Sequence, residues 1–333
     1  MKKAVISIIT ACLYIGTSLM ASSQAMTLIR EVISPIDNLM LDNGYYLSVY
    51  DFHIAPNKLP NDILSLKNSP KSMQQKMVLK KDFLSKGAGT YTFKVTYNDA
   101  GNIESVIMPE HTISGVKNYE QKAIIDYMDG RIGTMAIFSK IETMDGVQDR
   151  ADQTQYAYDA QWRLTKEIFN MYTPGKDGKW HKEEGFADQV DFAYNYDANG
   201  KLVSAKVNAL EGNVYYNDKG LLSHINENGT TTFSYAYDAN DHITTATSQI
   251  TQEDYNGPSY FKTTTTFVRN EQGDITKATV TKNKCNRRWV TTRKGTPSAY
   301  SIAYTYDSQG NWTNANITKG KVVIATITRA FTY

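Results

Sequence analysis

The sequence is poor in cysteine, in net charge and in long apolar runs. Its 333 residues include only Cys12 and Cys285, and the formal net charge is +2. Two cysteines cannot supply the framework of a disulfide-rich domain, and removal of an N-terminal leader leaves Cys285 without a partner. A nearly neutral chain has no general attraction to nucleic acid, and no run after the N-terminus reaches the roughly 20 apolar residues of a transmembrane helix. We therefore expect no internal disulfide, no nucleic-acid partner and no transmembrane segment.

The motifs of common catalytic and metal sites are also missing. There is no HExxH pair, Cys/His cluster, Gly-x-Ser-x-Gly elbow, Walker loop or dinucleotide fingerprint. Asp145, Asp149 and Asp152 lie close together, but they lack the oxygen spacing of a calcium loop. The acidic segment 183–191 offers carboxylates of the kind that glycoside hydrolysis needs in pairs, yet acidic residues on a solvated loop are far commoner. We expect no catalytic residue, no metal and no cofactor.

The N-terminus has the layout of an export signal. Lys2 and Lys3 precede an apolar stretch over 4–19, and residues 23–25 (Ser-Gln-Ala) fit a small-x-small cleavage site. This predicts a signal peptide over 1–25, a mature start at Met26 and an exported protein, periplasmic or extracellular. Residues 9–12 (Ile-Thr-Ala-Cys) are the alternative, because they resemble a lipoprotein box that would anchor the protein at Cys12.

A sequence motif of the form Tyr-Asp/Asn-x-x-Gly-x-apolar, here called the phrase, recurs along the chain, and recurrence of this kind indicates a repeat architecture. Tyr196, Tyr216 and Tyr237 begin copies at intervals of 20 and 21 residues. The residues that define the clearest copies are Tyr97, Gly101, Tyr196, Asp197, Gly200, Tyr216, Gly220, Tyr237, Asp238, Tyr306, Asp307, Gly310 and Trp312. Such spacing is typical of stacked structural repeats.

Each copy has the pattern of a β-hairpin. Aromatic and apolar residues alternate with Thr, Ser, Ala and Asn before each tyrosine, which places the rings on one face of a strand. Asp and Gly then form a turn of the type I plus Gly-bulge kind, because Asp bonds the backbone ahead of it and Gly reaches positive φ. Asp241 replaces Gly in one copy and tolerates that conformation, whereas Trp162 in another does not do so cheaply. We therefore predict a different geometry for the 159–163 turn.

With these motifs, the chain resembles the YD repeats of Rhs-type and teneurin-type proteins over residues 91–318. The resemblance implies an all-β fold of wound hairpins. In large relatives the hairpins form a shell around a toxic C-terminal domain, and carbohydrate binding has been suggested for such repeats. This chain has fewer repeats, no Asp-Pro autoproteolysis box and no effector after the repeats. It is therefore more similar to small exported bacterial YD-repeat proteins.

Residues 26–89 lack the phrase and read as a small mixed N-terminal cap. Strands are predicted over 28–33 and 45–52, a turn or short helix over 60–66, and a helix over 72–86 from the spacing of Met73, Met77 and Leu84. The expected fold over 90–333 is an antiparallel meander of β-hairpins, curved or partly rolled. Buried tyrosines would indicate a scaffold, and an open row of rings would indicate a stacking platform for sugars.

The sharpest charge feature is a basic segment over 282–294. Its candidate binding residues are Arg287, Arg288, Trp289, Arg293 and Lys294. Clustered cations with an aromatic ring can bind an anionic polysaccharide, lipopolysaccharide or nucleic acid. The alternative is an edge strand that Lys and Arg protect from aggregation.

Three functions follow from these features. The first hypothesis is an exported non-catalytic β-repeat protein that binds a carbohydrate or a protein partner at the cell envelope or outside the cell. The second is a carrier or immunity component associated with an Rhs-type toxin or secretion system. The third is a hydrolase using loop carboxylates.

Overall fold

The computed structural model describes Leu28, Ile29, Val32, Pro35 and Ile36, and residues 70–80, 87–113, 116–143, 146–208, 212–227, 230–252 and 257–333. The predicted signal peptide, the lipoprotein alternative at Cys12 and the predictions for 45–52 and 60–66 lie outside these residues. The described chain after residue 70 is built from β-strands that are joined by short connections.

The strands in chain order are β1 (Ser72–Leu79), β2 (Gly89–Tyr97), β3 (Ile103–Met108), β4 (His111–Ile113), β5 (Val116–Asn118), β6 (Gln121–Met128), β7 (Arg131–Thr143), β8 (Gly146–Tyr158), β9 (Leu164–Pro174), β10 (Trp180–Tyr196), β11 (Leu202–Val207), β12 (Gly212–Tyr216), β13 (Leu222–Glu227), β14 (Thr230–Tyr237), β15 (Ile243–Gln252), β16 (Ser259–Arg269), β17 (Ile275–Cys285), β18 (Thr291–Arg293), β19 (Ser298–Tyr306), β20 (Trp312–Lys319) and β21 (Val322–Thr332).

The sheet closes on itself. It contains 19 strands, of which β18 is a short branch on β17 and the other 18 form a ring. Strand β1 pairs antiparallel with β2 on one side and with β21 on the other, so that Gln75 lies opposite Arg329. The predicted antiparallel hairpin meander is confirmed, but the prediction of a curved or partly rolled sheet is wrong. Pairing of the first strand with the last removes both sheet edges, and an open sheet would leave both exposed.

The aromatic face of the sheet is the buried one. On β2, Tyr91, Phe93 and Val95 are buried while the alternate residues Thr92 and Lys94 are exposed. Alternate residues from β-strands all round the ring join a single core cluster. In a closed sheet only the inner face can be covered on this scale, so we assign the ring-bearing face to the interior. The buried tyrosines therefore belong to a scaffold and form no open platform along the strands, whereas Tyr196 and Tyr306, at the ends of β10 and β19, are exposed.

The N-terminal residues complete the interior. Leu28, Ile29, Val32 and Ile36 are buried within the same cluster as the strand residues. Leu28, Ile29 and Val32 are helical, so the prediction of a strand over 28–33 is wrong. Their spacing together with Ile36 follows the 3.6-residue period of a helix that presents one apolar face, a pattern that the 28–33 window was too short to display.

The helix predicted over 72–86 is also wrong where the structure describes it. Residues 72–79 form β1, in which Met73, Gln75, Met77 and Leu79 are buried alternately. A spacing of four residues, as between Met73 and Met77, satisfies both a helical period and an alternating one. Pairing with β2 and β21 resolves the ambiguity in favour of the strand. Residues 81–86 lie outside the described chain.

The turns that close the repeated hairpins share one hydrogen-bond pattern. In the 197–201 turn, the amide of Asp197 donates to the carbonyl of Lys201 over 2.9 Å, and the amide of Gly200 donates to the carbonyl of Asp197 over 3.0 Å. The Asp197 carboxylate accepts from the amides of Asn199 and Lys201. The same backbone pairs recur in the turns that begin at residues 98, 159, 175, 217, 238, 270, 286 and 307.

Trp162 adopts this common geometry, so the prediction of a different turn at 159–163 is wrong. Its φ is 61°, and its amide donates to the carbonyl of Asp159 over 2.9 Å. The Asp159 carboxylate accepts from the amides of Gln161 and Arg163. The first residue of the turn therefore fixes the backbone, and its hydrogen bonds offset the roughly 1–2 kcal/mol that a non-glycine residue costs at positive φ. Asp241, with φ 65°, adopts the left-handed conformation as expected.

Tyrosine hydroxyls join neighbouring hairpins to one another. Each of five tyrosines donates a hydrogen bond to a backbone carbonyl just after the preceding hairpin's turn, on the first residue of the return strand in four cases and on the second, Ile132, in the fifth. The pairs are Tyr127 to Ile103, Tyr158 to Ile132, Tyr194 to Leu164, Tyr237 to Leu222 and Tyr304 to Ile275, at 2.6–2.9 Å. Phenylalanine would fill the same space but leave the carbonyl without this donor. This repeated bond, which we call the tyrosine ladder, is a physical reason for the excess of tyrosine over phenylalanine.

Candidate functional site

The barrel has two different rims. Seven of the nine turns that share one hydrogen-bond pattern connect β2–β3, β8–β9, β10–β11, β12–β13, β14–β15, β16–β17 and β19–β20, and these seven lie together because alternate connections of an antiparallel ring share an end. We call this rim the turn end. The opposite rim, the loop end, carries the inserted connections around 174–180, 257–259 and 294–298. It also carries the other two turns of this pattern, at 175–179 and 286–290.

The basic segment is a hairpin at the loop end. Residues 282–294, which we call the basic hairpin, comprise the end of β17, the 286–290 turn and β18. The Asn286 carboxamide accepts hydrogen bonds from the amides of Arg288 and Val290, so the segment reuses the turn of the repeat. Asn286 is a sequence signal for this turn, but Trp289 at the position of the usual glycine obscures it. Trp289 has φ 58°.

The side chains of the basic hairpin face solvent. Arg287, Arg288, Arg293 and Lys294 are exposed, and Trp289 is partly exposed. The Trp289 ring stands edge-on against Tyr260, with 5.5 Å between ring centroids and 87° between planes. The structure therefore places all five predicted binding residues on one short hairpin, with the indole fixed by a neighbouring ring.

The backbone around these cations is tightly held. The Gly295 amide donates to the Asn283 carboxamide oxygen over 2.9 Å. A Cβ at Gly295 would lie 2.0 Å from the carbonyl oxygen of Lys282, so only glycine fits at this approach. Lys282 itself lies over the Phe261 ring, with 4.6 Å from Nζ to the ring centroid. These contacts fix where the chain leaves β18 and limit the motion of the hairpin.

The cations of the basic hairpin lack carboxylate partners in the described part of the chain. The ion pairs formed there involve none of Arg287, Arg288, Arg293 and Lys294. Lys284 lies directly opposite Arg293 across the β17–β18 pair, an arrangement of like charges that is unfavourable. Strand β18 pairs with β17 alone among the described strands, which is also the geometry of a charge-protected edge.

The weaker candidates for chemistry are held in separate contacts. The Asp149 carboxylate pairs with Lys140 and that of Asp152 with Arg150, each at 2.7 Å, and Asp145 lies outside the described residues. No group of three or more His, Cys, Asp or Glu residues able to hold a metal occurs within the described ranges. Cys285 is a buried free thiol.

The carboxylates of the acidic segment 183–191 are likewise held by separate partners. The Glu183 carboxylate accepts a hydrogen bond from the Thr173 hydroxyl, and the Asp188 carboxylate accepts one from the amide of Gln189. The Asp191 carboxylate accepts from the side chains of Gln189 and Asn208. The described contacts therefore bind these acids to different neighbours and bring no pair of them into contact.

Two buried ionisable groups in the barrel wall were missed by the sequence patterns. Burial raises the pKa of the Glu167 carboxyl to about 8. Burial likewise lowers the pKa of the Arg329 guanidinium to about 9. Apolar neighbours two residues away, such as Phe169 after Glu167 and Ile327 before Arg329, mark both positions as inward.

Arg329 ties the N-terminal residues to the closing seam of the barrel. Its Nε donates to the Gln75 side-chain oxygen over 2.9 Å, and its NH2 group donates to the carbonyl of Val32. The guanidinium lies over the Trp312 ring, 3.6 Å from the centroid. Because Gln75 and Arg329 belong to the first and last strands, this cluster joins the seam to the segment that fills the interior.

None of the described residues belongs to a helix with the length and apolar character that a membrane crossing requires.

Comparisons with known proteins returned similar structures but no related family. No protein-family model and no curated protein sequence matches the chain. A porin-like protein from Bacteroides uniformis ATCC 8492 is 11% identical over 80% of this chain and 99% of its own, with a TM-score of 0.35. A chain of a TcdB2–TccC3–Cdc42 structure is 12% identical over 72% of this chain and 15% of its own, with a TM-score of 0.28. We base no inference on likenesses at these scores, and the resemblance to YD repeats continues to rest on the repeated phrase.

Proposed function

We propose that this chain is an exported, non-catalytic β-barrel that binds a carbohydrate or protein partner at the cell envelope or outside the cell, with the basic hairpin as its binding site. The buried aromatic face favours a scaffold, so binding groups must lie on the rims or the outer face. The loop end carries the inserted connections, and function concentrates in such connections. Among the carboxylates described, no pair is placed for hydrolysis, so the hydrolase alternative gains no support.

One observation carries the proposal. In the basic hairpin, exposed Arg and Lys side chains lie around the Trp289 indole, which packs against Tyr260. None of these cations forms an ion pair with a carboxylate in the described part of the chain. Unpaired cations that face one another across a hairpin are stabilised when an anion binds between them. Trp289 adds a surface for stacking. The ligand class that fits this chemistry is an anionic polysaccharide.

The polar residues on the outer face of β2 and β19 favour a barrel that is surrounded by water rather than by lipid. The outward residues Thr92, Lys94 and Thr96 of β2 and Ser301 and Thr305 of β19 are polar and exposed. A lipid-facing strand needs apolar residues at these alternating positions. Absence of a transmembrane segment therefore remains part of the proposal.

Retention on immobilised polygalacturonate, with dextran as the uncharged control matrix, tests the proposed site. We expect residues 26–333 to bind polygalacturonate in a salt-sensitive manner, and the double variant Arg287→Glu/Arg288→Glu to bind at least ten-fold more weakly. The double variant Lys206→Glu/Lys277→Glu is the matched control, because it changes two exposed strand lysines and gives the same change in net charge. Equal losses in the two variants, or no retention of the unaltered protein, would refute the proposed site.

A further inference from the structure

The turn end carries a second unusual indole. Trp162 occupies the turn position that glycine holds in most copies, with φ 61°, and 36% of its surface is exposed. A left-handed tryptophan is strained and projects from the turn, where glycine would cost nothing. Backbone strain of this kind persists where the surrounding structure enforces it, and it often accompanies a binding role.

Neighbouring hairpins extend this indole into a row. The Arg131 guanidinium lies 5.7 Å from the ring centroids of both Tyr158 and Trp162. The Arg163 guanidinium lies 4.7 Å from the ring centroid of Tyr196, whose surface is 40% exposed. Strands β7 to β10 are neighbours in the ring. Arg131, Trp162, Arg163 and Tyr196 therefore succeed one another along the rim, and we call them the aromatic row.

The exposed rings of Trp162 and Tyr196 are each supported by an arginine side chain. Arg131 is only 7% exposed, so its contacts with the rings fix the Trp162 side of the row. The Arg163 Nε donates to the Asp159 carboxylate over 2.6 Å, and its NH2 group donates to the Gln161 side-chain oxygen over 2.8 Å. Cation–π contact adds to this support on both sides. The indole and the phenol are thus preorganised, which lowers the entropy cost of stacking a ligand on them.

Charge decides which ligand fits. Asp159 neutralises Arg163 locally, and Arg131 is covered by rings, so the row offers no accessible unpaired cation to a polyanion. Burial alone would raise the pKa of Asp159, but the hydrogen bonds from Arg163 outweigh it and hold that pKa below its usual range. The exposed surface consists of flat apolar rings next to polar turn groups. Such a surface matches the apolar faces and surrounding hydroxyl groups of uncharged sugar rings.

We propose that the aromatic row is a second binding site, on the rim opposite the basic hairpin, which takes an uncharged oligosaccharide by stacking on Trp162 and Tyr196. Trp162 lies in the β8–β9 turn and Tyr196 ends β10, the strand that pairs with β9, so the two rings belong to adjacent hairpins. Neither ring belongs to the basic hairpin, and the two sites differ in ligand charge.

The repeat itself supplies the test variant. Trp162→Gly installs the residue that the other turns use, so it removes the indole while relieving the strained backbone. On an array of uncharged oligosaccharides, we expect the unaltered protein to bind at least one glycan and Trp162→Gly to bind it at least ten-fold more weakly. The thermal midpoint of this variant should stay unchanged or rise. A purely structural indole would instead lower the midpoint.

Two further variants keep the outcomes distinct. Tyr196→Ala removes an exposed ring and should weaken binding of the same glycan if Trp162→Gly proves unstable. Trp289→Gly makes the same exchange at the basic hairpin and should leave uncharged glycans bound while reducing retention on polygalacturonate. The proposal is overturned if the array shows no bound glycan, or if both aromatic-row variants retain it. Either result leaves the basic hairpin to be judged by polygalacturonate alone.

Discussion

The tyrosine ladder makes a prediction that two positions of the same repeat can test against each other. The Tyr237 hydroxyl donates to the carbonyl of Leu222 over 2.7 Å, and Leu222 is fully buried. Tyr237→Phe preserves the ring and its packing but leaves the carbonyl without this donor. Tyr216 occupies a matching place in the repeat, yet its buried hydroxyl has no hydrogen-bond partner among the described residues.

The expected free energies of unfolding differ between the two variants. Loss of a hydrogen bond in a largely buried setting costs about 1–1.5 kcal/mol, so Tyr237→Phe should lower stability by that amount. Tyr216→Phe removes a polar group that was buried without a partner, and it should be neutral or stabilising by up to about 1 kcal/mol. With an unfolding entropy of about 2.1 cal/mol/K per residue over about 300 residues, 1 kcal/mol corresponds to a shift of roughly 1.5–2 °C in Tm.

Urea unfolding of the mature protein and of both variants measures these differences under identical conditions. An unchanged m-value would show that the midpoints report stability rather than a change in the unfolded state. The ladder would lose its stabilising role if Tyr216→Phe destabilised the protein as much as Tyr237→Phe. It would also lose that role if Tyr237→Phe had no effect.

Two buried ionisable side chains, Glu167 and Arg329, give the remaining predictions. The pKa of Glu167 is about 8 in the folded protein and roughly 4.3 in an unfolded chain. At a pH between these two values the unfolded state has released a proton that the folded state keeps. The free energy of unfolding therefore falls as the pH rises through this range. Glu167→Gln should abolish this fall in stability with pH. In urea titrations the variant should be more stable than the unaltered protein by roughly 3–5 kcal/mol at pH 8, with no such gain at pH 4. Parallel pH profiles of the two proteins would contradict this prediction. Arg329→Ala removes the donors to Gln75 and Val32, and should cost roughly 2–4 kcal/mol and speed proteolysis near Val32; unchanged cleavage would contradict this role.

Much of the local structure could be predicted from the sequence. Alternation before Tyr196 and Tyr306 indicates strands, and Asp197 with Gly200 indicates the turn, because both signals act within a few residues. The prediction for the 159–163 turn is wrong because the fourth position of this turn does not require glycine. In the structure the Asp159 carboxylate organises the backbone, so the fourth position accepts tryptophan.

The candidate site was predicted in part. The cations and Trp289 of the basic hairpin stand out in the sequence as a charge cluster, and the structure places them together on one hairpin. The aromatic row was not foreseen, because Arg131, Trp162 and Tyr196 come from three hairpins. Their contacts depend on the order of strands in the sheet, which no local pattern contains.

The sequence by itself determined the repeating hairpin: its strands, its turn residues and the tyrosines of its aromatic face. Only the tertiary structure decided that the sheet closes, that this face becomes the interior and that the helical residues Leu28, Ile29, Val32 and Ile36 fill part of it. Closure requires Gln75 of the first strand to meet Arg329 of the last. That pairing depends on accumulated twist and on the burial of a shared core, and both are properties of the whole ring rather than of any hairpin.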